Sequence, residues 1–157
     1  MLHASFPDKL LYLVIFSFTS MDGRENNFKY VINQSLKRNS LFVDIGSSDG
    51  AEAKIALNKF KSIKSIIFEP YAINRKKIFK YLNLNYYKNK FKIYNYCISD
   101  KNQKINFYIN HKRANLNSTT FFKNSIKVKK NSITFNKASK KFKFSTPIFI
   151  KADIEGG

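Results

Sequence analysis

The sequence predicts an α/β fold in which a Rossmann-like parallel sheet carries helices on its faces, and three observations lead there. Short apolar runs recur at 41–45 (LFVDI), 65–70 (SIIFEP) and 91–99 (FKIYNYCIS). Stretches with apolar residues at helical spacing lie between them. A turn bearing two glycines, Gly46 and Gly50, directly follows the first run. Near-continuous apolar runs suit strands buried on both faces, and their alternation with helices marks βαβ units.

The elements follow in order. The run LLYLVIFSF at 10–18 is nine residues long, well short of the ~20 needed to cross a bilayer. It is a poor signal peptide, because Lys9 is the only lysine or arginine ahead of it and Asp8 sits beside that lysine. It reads as a buried strand or an accessory helix, within an N-terminal extension covering 1–21. Met21 offers an alternative start. From 22 to 38 a helix is expected, capped by Asp22, with Phe28, Val31, Ile32 and Leu36 on one side. A second helix at 51–60 turns Ala53, Ala56, Leu57 and Phe60 inward. A third, from 71 to 84, presents Ile73, Ile78, Phe79 and Leu82. Pro70 stops the second strand, and 91–99 forms the third. Beyond Asp100 the pattern weakens: 104–110 alternates like a half-exposed strand, 111–125 reads as a loop, and 131–144 is ambiguous between strand and connector. Pro147 opens a fourth sheet strand ending in acids.

Composition sets limits. At 157 residues and 43% hydrophobic, the chain can bury one core and is too short for two ordinary domains. Lysine and arginine number 29 against 10 acids, for a net charge of +19. The lysines travel with Asn, Ile, Phe and Tyr in every segment, which reads as a chain-wide bias. Such charge speaks to solubility and non-specific binding, so no specific nucleic-acid partner is expected. The single cysteine, Cys97, excludes an internal disulfide and fits a reducing, cytoplasmic setting. No metal site is expected. Cys97 and the aromatics Tyr86, Tyr87, Phe91 and Tyr94 read as core, and His111 as a loop histidine.

The turn after the first strand carries the chemistry. In an α/β sheet a ligand sits beyond the carboxyl ends of the strands, at the point where strand order reverses. A glycine there permits a tight turn and lets backbone N–H groups approach the ligand. Asp44, Gly46, Ser47, Ser48 and Gly50 form such a cradle. Glu69 ends the next strand, at the place where an acid commonly accepts from ribose hydroxyls. Ser48 occupies the position where a dinucleotide fingerprint would have glycine, and no phosphate-binding G-x-x-x-x-G-K-[ST] motif exists. An acid inside the turn suits a cationic or zwitterionic ligand. S-adenosylmethionine, with an ammonium, a sulfonium and a ribose, meets both requirements.

The fourth strand adds FIKADIEGG at 149–157. Lys151, Asp153, Glu155 and Gly156 resemble the K-x-D-x-E-G signature of the FkbM family of S-adenosylmethionine-dependent methyltransferases. FVDIGSSDG resembles that family's first motif, with Ser47 and Ser48 where Ala-Asn is usual. IIFEP, with Glu69 and Pro70, resembles its ribose-binding strand end, and YCISD at 96–100 its third-strand end. The resemblance implies a class I methyltransferase fold over 22–157, binding S-adenosylmethionine and methylating a hydroxyl on a sugar, glycolipid or other small metabolite. It implies Ile98, Ser99 and Asp100 near the adenine and Asp153 or Glu155 as base, with Asp153 preferred. Family members continue past the Glu-Gly pair, so a chain ending at Gly157 reads as a fragment whose fourth strand is an open sheet edge. The alternatives are an RNA-directed methyltransferase or basic RNA-binding protein, and an inactive truncated remnant.

Overall fold

Leu41–Ile45 is buried along its whole length, as a strand with neighbours on both edges and cover on both faces must be. The computed structural model describes residues 11–15, 24–82, 84–87, 89–110, 117, 119–145 and 147–153. In chain order the elements are β1 (Leu11–Ile15), α1 (Arg24–Ser35), β2 (Leu41–Ile45), α2 (Ala51–Lys59), β3 (Lys64–Phe68), α3 (Ala72–Tyr81) and α4 (Leu84–Tyr87). They continue with β4 (Phe91–Tyr94), β5 (Cys97–Ile98), β6 (Lys104–Ile109), β7 (Ile126–Ile133), α5 (Phe135–Lys141) and β8 (Ile148–Ala152). The main sheet is parallel throughout, in the order β1-β8-β2-β3-β4. β7 pairs with β5 in parallel and with β6 in antiparallel fashion, forming a separate ribbon. The α/β class with a parallel, helix-flanked sheet is therefore the observed one.

Two apolar layers cover the sheet, and period-two alternation decides which residue enters which. Phe42, Ile67 and Phe149 meet α1 through Phe28 and Ile32, α2 through Ala53, Ala56 and Leu57, and α3 through Ile78 and Leu82. Phe42 and Phe149 are register partners, and their rings stack at 5.8 Å. Burying each such ring contributes roughly 1.5–3 kcal/mol. Leu41, Val43, Ile45, Ile66, Phe68 and Ile150 face the other way, onto α5 through Ala138 and the aromatics that flank it. A third cluster, with Tyr71, Cys97, Phe107 and Ile109, lies under the β6–β7 ribbon.

Four expectations are corrected. The fourth strand, β8, is not an open edge, because β1 pairs with it in parallel over all five residues, Leu11 with Ile148 through Ile15 with Ala152. The apolar run at the chain's start thus contributes a strand, satisfying backbone groups that an edge would leave unpaired. The third strand is not continuous over 91–99. Its last rung is the Glu69 amide donating to Tyr94 O at 3.1 Å, after which the Arg75 guanidinium holds the Asn95 side chain at 3.0 Å. The chain then leaves the sheet, and Cys97–Ile98 pairs with β7 instead.

Helix α3 also presents a different face. Ile78 and Leu82 are buried, but Ile73 and Phe79 are each 48% exposed and the polar Asn74 is buried. Asn74, Ile78 and Leu82 share one stripe at four-residue spacing, and Asn74 is drawn inward by a side-chain hydrogen bond to Glu69. Tyr86 is likewise exposed, while Tyr87 is core. Finally, the segment 131–144 resolves into the end of an eight-residue strand and a helix, α5. Thr134 caps that helix by accepting the Lys137 amide at 3.2 Å, the usual role of a threonine there. The expectations for Asp22, His111, Glu155 and Gly156 lie outside the described residues.

Candidate functional site

The connections on either side of β2 run over opposite faces of the sheet. α2 follows β2 on the face of Phe42, whereas α5 precedes β8 on the face of Val43. Strand order accordingly reverses between β2 and β8. That is the point at which an α/β sheet opens a crevice beyond its carboxyl ends. Asp44 is the penultimate residue of β2 and Lys151 that of β8, with Asp153 one residue beyond the strand.

Asp44 and Lys151 are opposed in register, and both are almost wholly buried, at 0% and 1% exposure. The Lys151 Nζ lies 3.2 Å from Asp44 Oδ1 and 3.9 Å from Asp153 Oδ2. It also donates to Gly46 O at 3.3 Å. The approach to Asp44 is off the hydrogen-bonding direction, so among the described residues neither carboxylate oxygen of Asp44 has a hydrogen-bond partner, nor does the buried Ser47 Oγ. Buried polar atoms are ordinarily hydrogen-bonded, and a carboxylate held by an ion pair alone, three residues before a hydroxyl without a partner, leaves room for a donor from outside. Asp153 is partly exposed, and its backbone N–H donates to Ile45 O at 3.0 Å, extending the β2–β8 ladder into the crevice.

The turn between β2 and α2 is wound through three left-handed residues, Gly46 at φ 74°, Ser48 at φ 56° and Gly50 at φ 90°. At Gly50 a Cβ would lie 3.1 Å from Ile78 Cγ2, so the turn is both left-handed and pressed against α3. Gly46 N–H donates to Phe68 O at 3.0 Å, tying the turn to β3. Ser48 carries a side chain where glycine would be unstrained, at a cost of about 1–2 kcal/mol. Its amide is held by Glu69 Oε2 at 3.2 Å.

Glu69 joins the turn to α3. Its Oε1 accepts the Tyr71 amide at 2.7 Å, its Oε2 accepts Ser48, and Asn74 adds a third bond. Burial pushes its carboxyl above the ordinary range, and these hydrogen bonds only partly oppose that. A carboxylate has about four lone-pair positions, and at least three of these are taken by donors from the turn and from α3. Pro70, buried beside it, ends the strand.

Ile98, Ser99 and Asp100 lie apart from this cluster in hydrogen bonding. Ser99 N–H donates to Ile133 O at 3.2 Å, and Ser99 Oγ to the exposed Asp100 at 3.0 Å. Their neighbour Cys97 is nevertheless close enough to feel Glu69. Burial first, and the Glu69 carboxylate second, push its thiol up to about 12. Lys151 stands in the sequence as part of the K-x-D-x-E-G resemblance, but only the register sets it against Asp44. One participant escaped the residue-by-residue reading. Asn74 gave no signal, because its inward turn depends on Glu69.

Among the described residues no helix is long and apolar enough to cross a membrane, and no cluster of His, Cys, Asp and Glu could hold a metal ion. No family model matches the chain, and no curated protein matches it. Solved structures do. One is a protein provisionally described as an RNA methyltransferase from Pyrococcus horikoshii, at TM-score 0.44 and 17% identity, with 55% of this chain and 43% of that one covered. Another is provisionally described as a sarcosine dimethylglycine methyltransferase from Galdieria sulphuraria, at TM-score 0.39 and 15% identity, with 45% and 27% covered. The chain thus spans less than half the length of either.

Proposed function

We propose that the chain binds S-adenosylmethionine at the β2–β8 crevice and belongs to an O-methyltransferase of the FkbM type. The observation that carries the reading is that Asp44 and Ser47, buried where strand order reverses, have no hydrogen-bond partner among the described residues. The cofactor fits what is there. Its ammonium brings donors to Asp44 and Ser47, its ribose hydroxyls a donor to Glu69, and its carboxylate an acceptor for Lys151. When bound, it supplies a methyl group on an electron-poor sulfur.

The protein's own share is to bind, orient and take a proton. Asp44 and Ser47 hold the amino-acid end, Gly46 and Gly50 let the backbone come close, and Glu69 takes a ribose hydroxyl. Ile98, Ser99 and Asp100 border the base. Asp153, partly exposed at the crevice rim, accepts the proton that the attacking hydroxyl of a sugar, glycolipid or small metabolite loses. Lys151, at 3.9 Å, steers that carboxylate.

The test is a thermal unfolding scan with and without S-adenosylhomocysteine, run alongside Asp44→Asn combined with Lys151→Met, which removes both members of the buried pair. Ligand at about 100 times its dissociation constant adds about 2.7 kcal/mol. A midpoint raised by several degrees in the parent and unmoved in the double variant is expected. A cooperative transition indifferent to ligand in both would overturn the reading.

A further inference from the structure

Lysine is spread along the chain, but acid is not. From 101 to 152 the sequence holds thirteen lysines and arginines and no aspartate or glutamate. A third of the chain therefore carries about two-thirds of the net charge of +19. The chain-wide bias is one of lysine only, and the excess of charge is local.

Much of this acid-free segment folds as the β6–β7 ribbon. Tyr108 lies opposite Lys127, Asn106 opposite Lys129, and Lys104 opposite Asn131. Directly opposed residues share a face of an antiparallel pair. The alternate set, with Ile105, Phe107, Ile109 and Val128, turns onto the third apolar cluster, so the lysines and Tyr108 occupy the outward face. Lys104, Lys127 and Lys129 are all exposed. Among the described residues no carboxylate pairs with any of them. Phe121 is 67% exposed and stands edge-to-face with Tyr108, ring centroids 5.6 Å apart. That geometry leaves both faces of the edge-on ring free of its partner.

We propose that this outward face docks single-stranded nucleic acid, with the three lysines meeting phosphates and the Tyr108–Phe121 pair offering a ring to a base. Charge complementarity names a polyanion, and the exposed ring among the lysines favours a strand whose bases are unpaired and free to stack. An anionic bilayer would use the charge but has no flat partner for the ring. Such a face reads backbone and ring, not base sequence, so the absence of a sequence-specific partner expected above is compatible with it. The proposal is independent of the crevice between β2 and β8.

The experiment is fluorescence anisotropy of the full chain with a labelled 20-nucleotide single-stranded RNA of mixed sequence, titrated over a range of salt. A duplex of the same length and vesicles of phosphatidylserine and phosphatidylcholine serve as rival probes. Binding to the single strand that weakens steeply with salt is expected. The double substitution Lys127→Gln, Lys129→Gln should reduce the steepness by about 1.4, at roughly 0.7 per phosphate contact. Phe121→Ala should weaken binding about tenfold, within the usual worth of a stacked base. Lys76→Gln with Lys77→Gln, the same charge change at exposed positions of α3, should leave the affinity within about threefold. Equal losses from the two double substitutions, no effect of Phe121→Ala, or equal or tighter binding to duplex or vesicles would each overturn the proposal. Far-ultraviolet circular dichroism of every variant confirms that the fold is retained.

Discussion

Lys151 and Asp44 face each other across the β2–β8 seam, buried and 3.2 Å apart, with no other salt-bridging cation near Asp44 among the described residues. Removing one member of a buried pair strands the other, at a typical cost of 3–5 kcal/mol, whereas replacing both with neutral groups is often tolerated. Lys151→Met is therefore expected to destabilise strongly, and Asp44→Asn combined with Lys151→Met to recover much of the loss. Urea unfolding of the two singles and the double checks this. Additive losses would show that the pair does not act as a unit.

The β2–α2 turn makes two predictions of opposite sign. Gly50→Ala places a Cβ 3.1 Å from Ile78 Cγ2 at φ 90°, and should cost about 1–3 kcal/mol. Ser48→Gly relieves a left-handed serine at φ 56°. Against the added chain entropy of glycine it should be neutral, or stabilising by up to about 1 kcal/mol. Thermal midpoints of the two variants should move apart, since each kilocalorie shifts a chain of this size by roughly 2–4 °C.

Glu69 should give the protein a pH-dependent stability. Its carboxyl titrates above 4.5 in the folded state because burial opposes its charge. As pH rises past 4.5, the unfolded chain releases this proton first, so the folded state loses stability until pH passes the raised folded value. Glu69→Gln cannot titrate. The midpoint of Glu69→Gln minus that of the parent should therefore increase from pH 4 to pH 7, and parallel curves would contradict the assignment.

Cys97 should be chemically quiet in the folded protein. Its thiol is pushed from 9.0 to about 12 by burial and by Glu69, and only the thiolate is nucleophilic. Three pH units predict a rate of alkylation by iodoacetamide at pH 8 about a thousandfold below that of the urea-unfolded chain. Labelling followed by mass spectrometry measures the ratio directly.

The sequence by itself determined the alternation of strands and helices from 24 to 94, the glycine turn, and the acids near the ends of β2, β3 and β8. Those features are local. Apolar runs, helical spacing and turn glycines are written in adjacent residues, whereas α5 and its Thr134 cap, in a segment that reads as ambiguous, were not legible. Tertiary structure decided everything that depends on which strand lies beside which. Strand order set Leu11–Ile15 against β8, although 130 and more residues separate them in the chain. Register made Asp44 and Lys151 neighbours. Asn74, hydrogen-bonded to Glu69, lies inward while Ile73 stands in solvent, against its apolar character. The physical reason is common to all three. A backbone ladder or a buried carboxylate must find its partners somewhere in the folded chain, and period and composition do not say where.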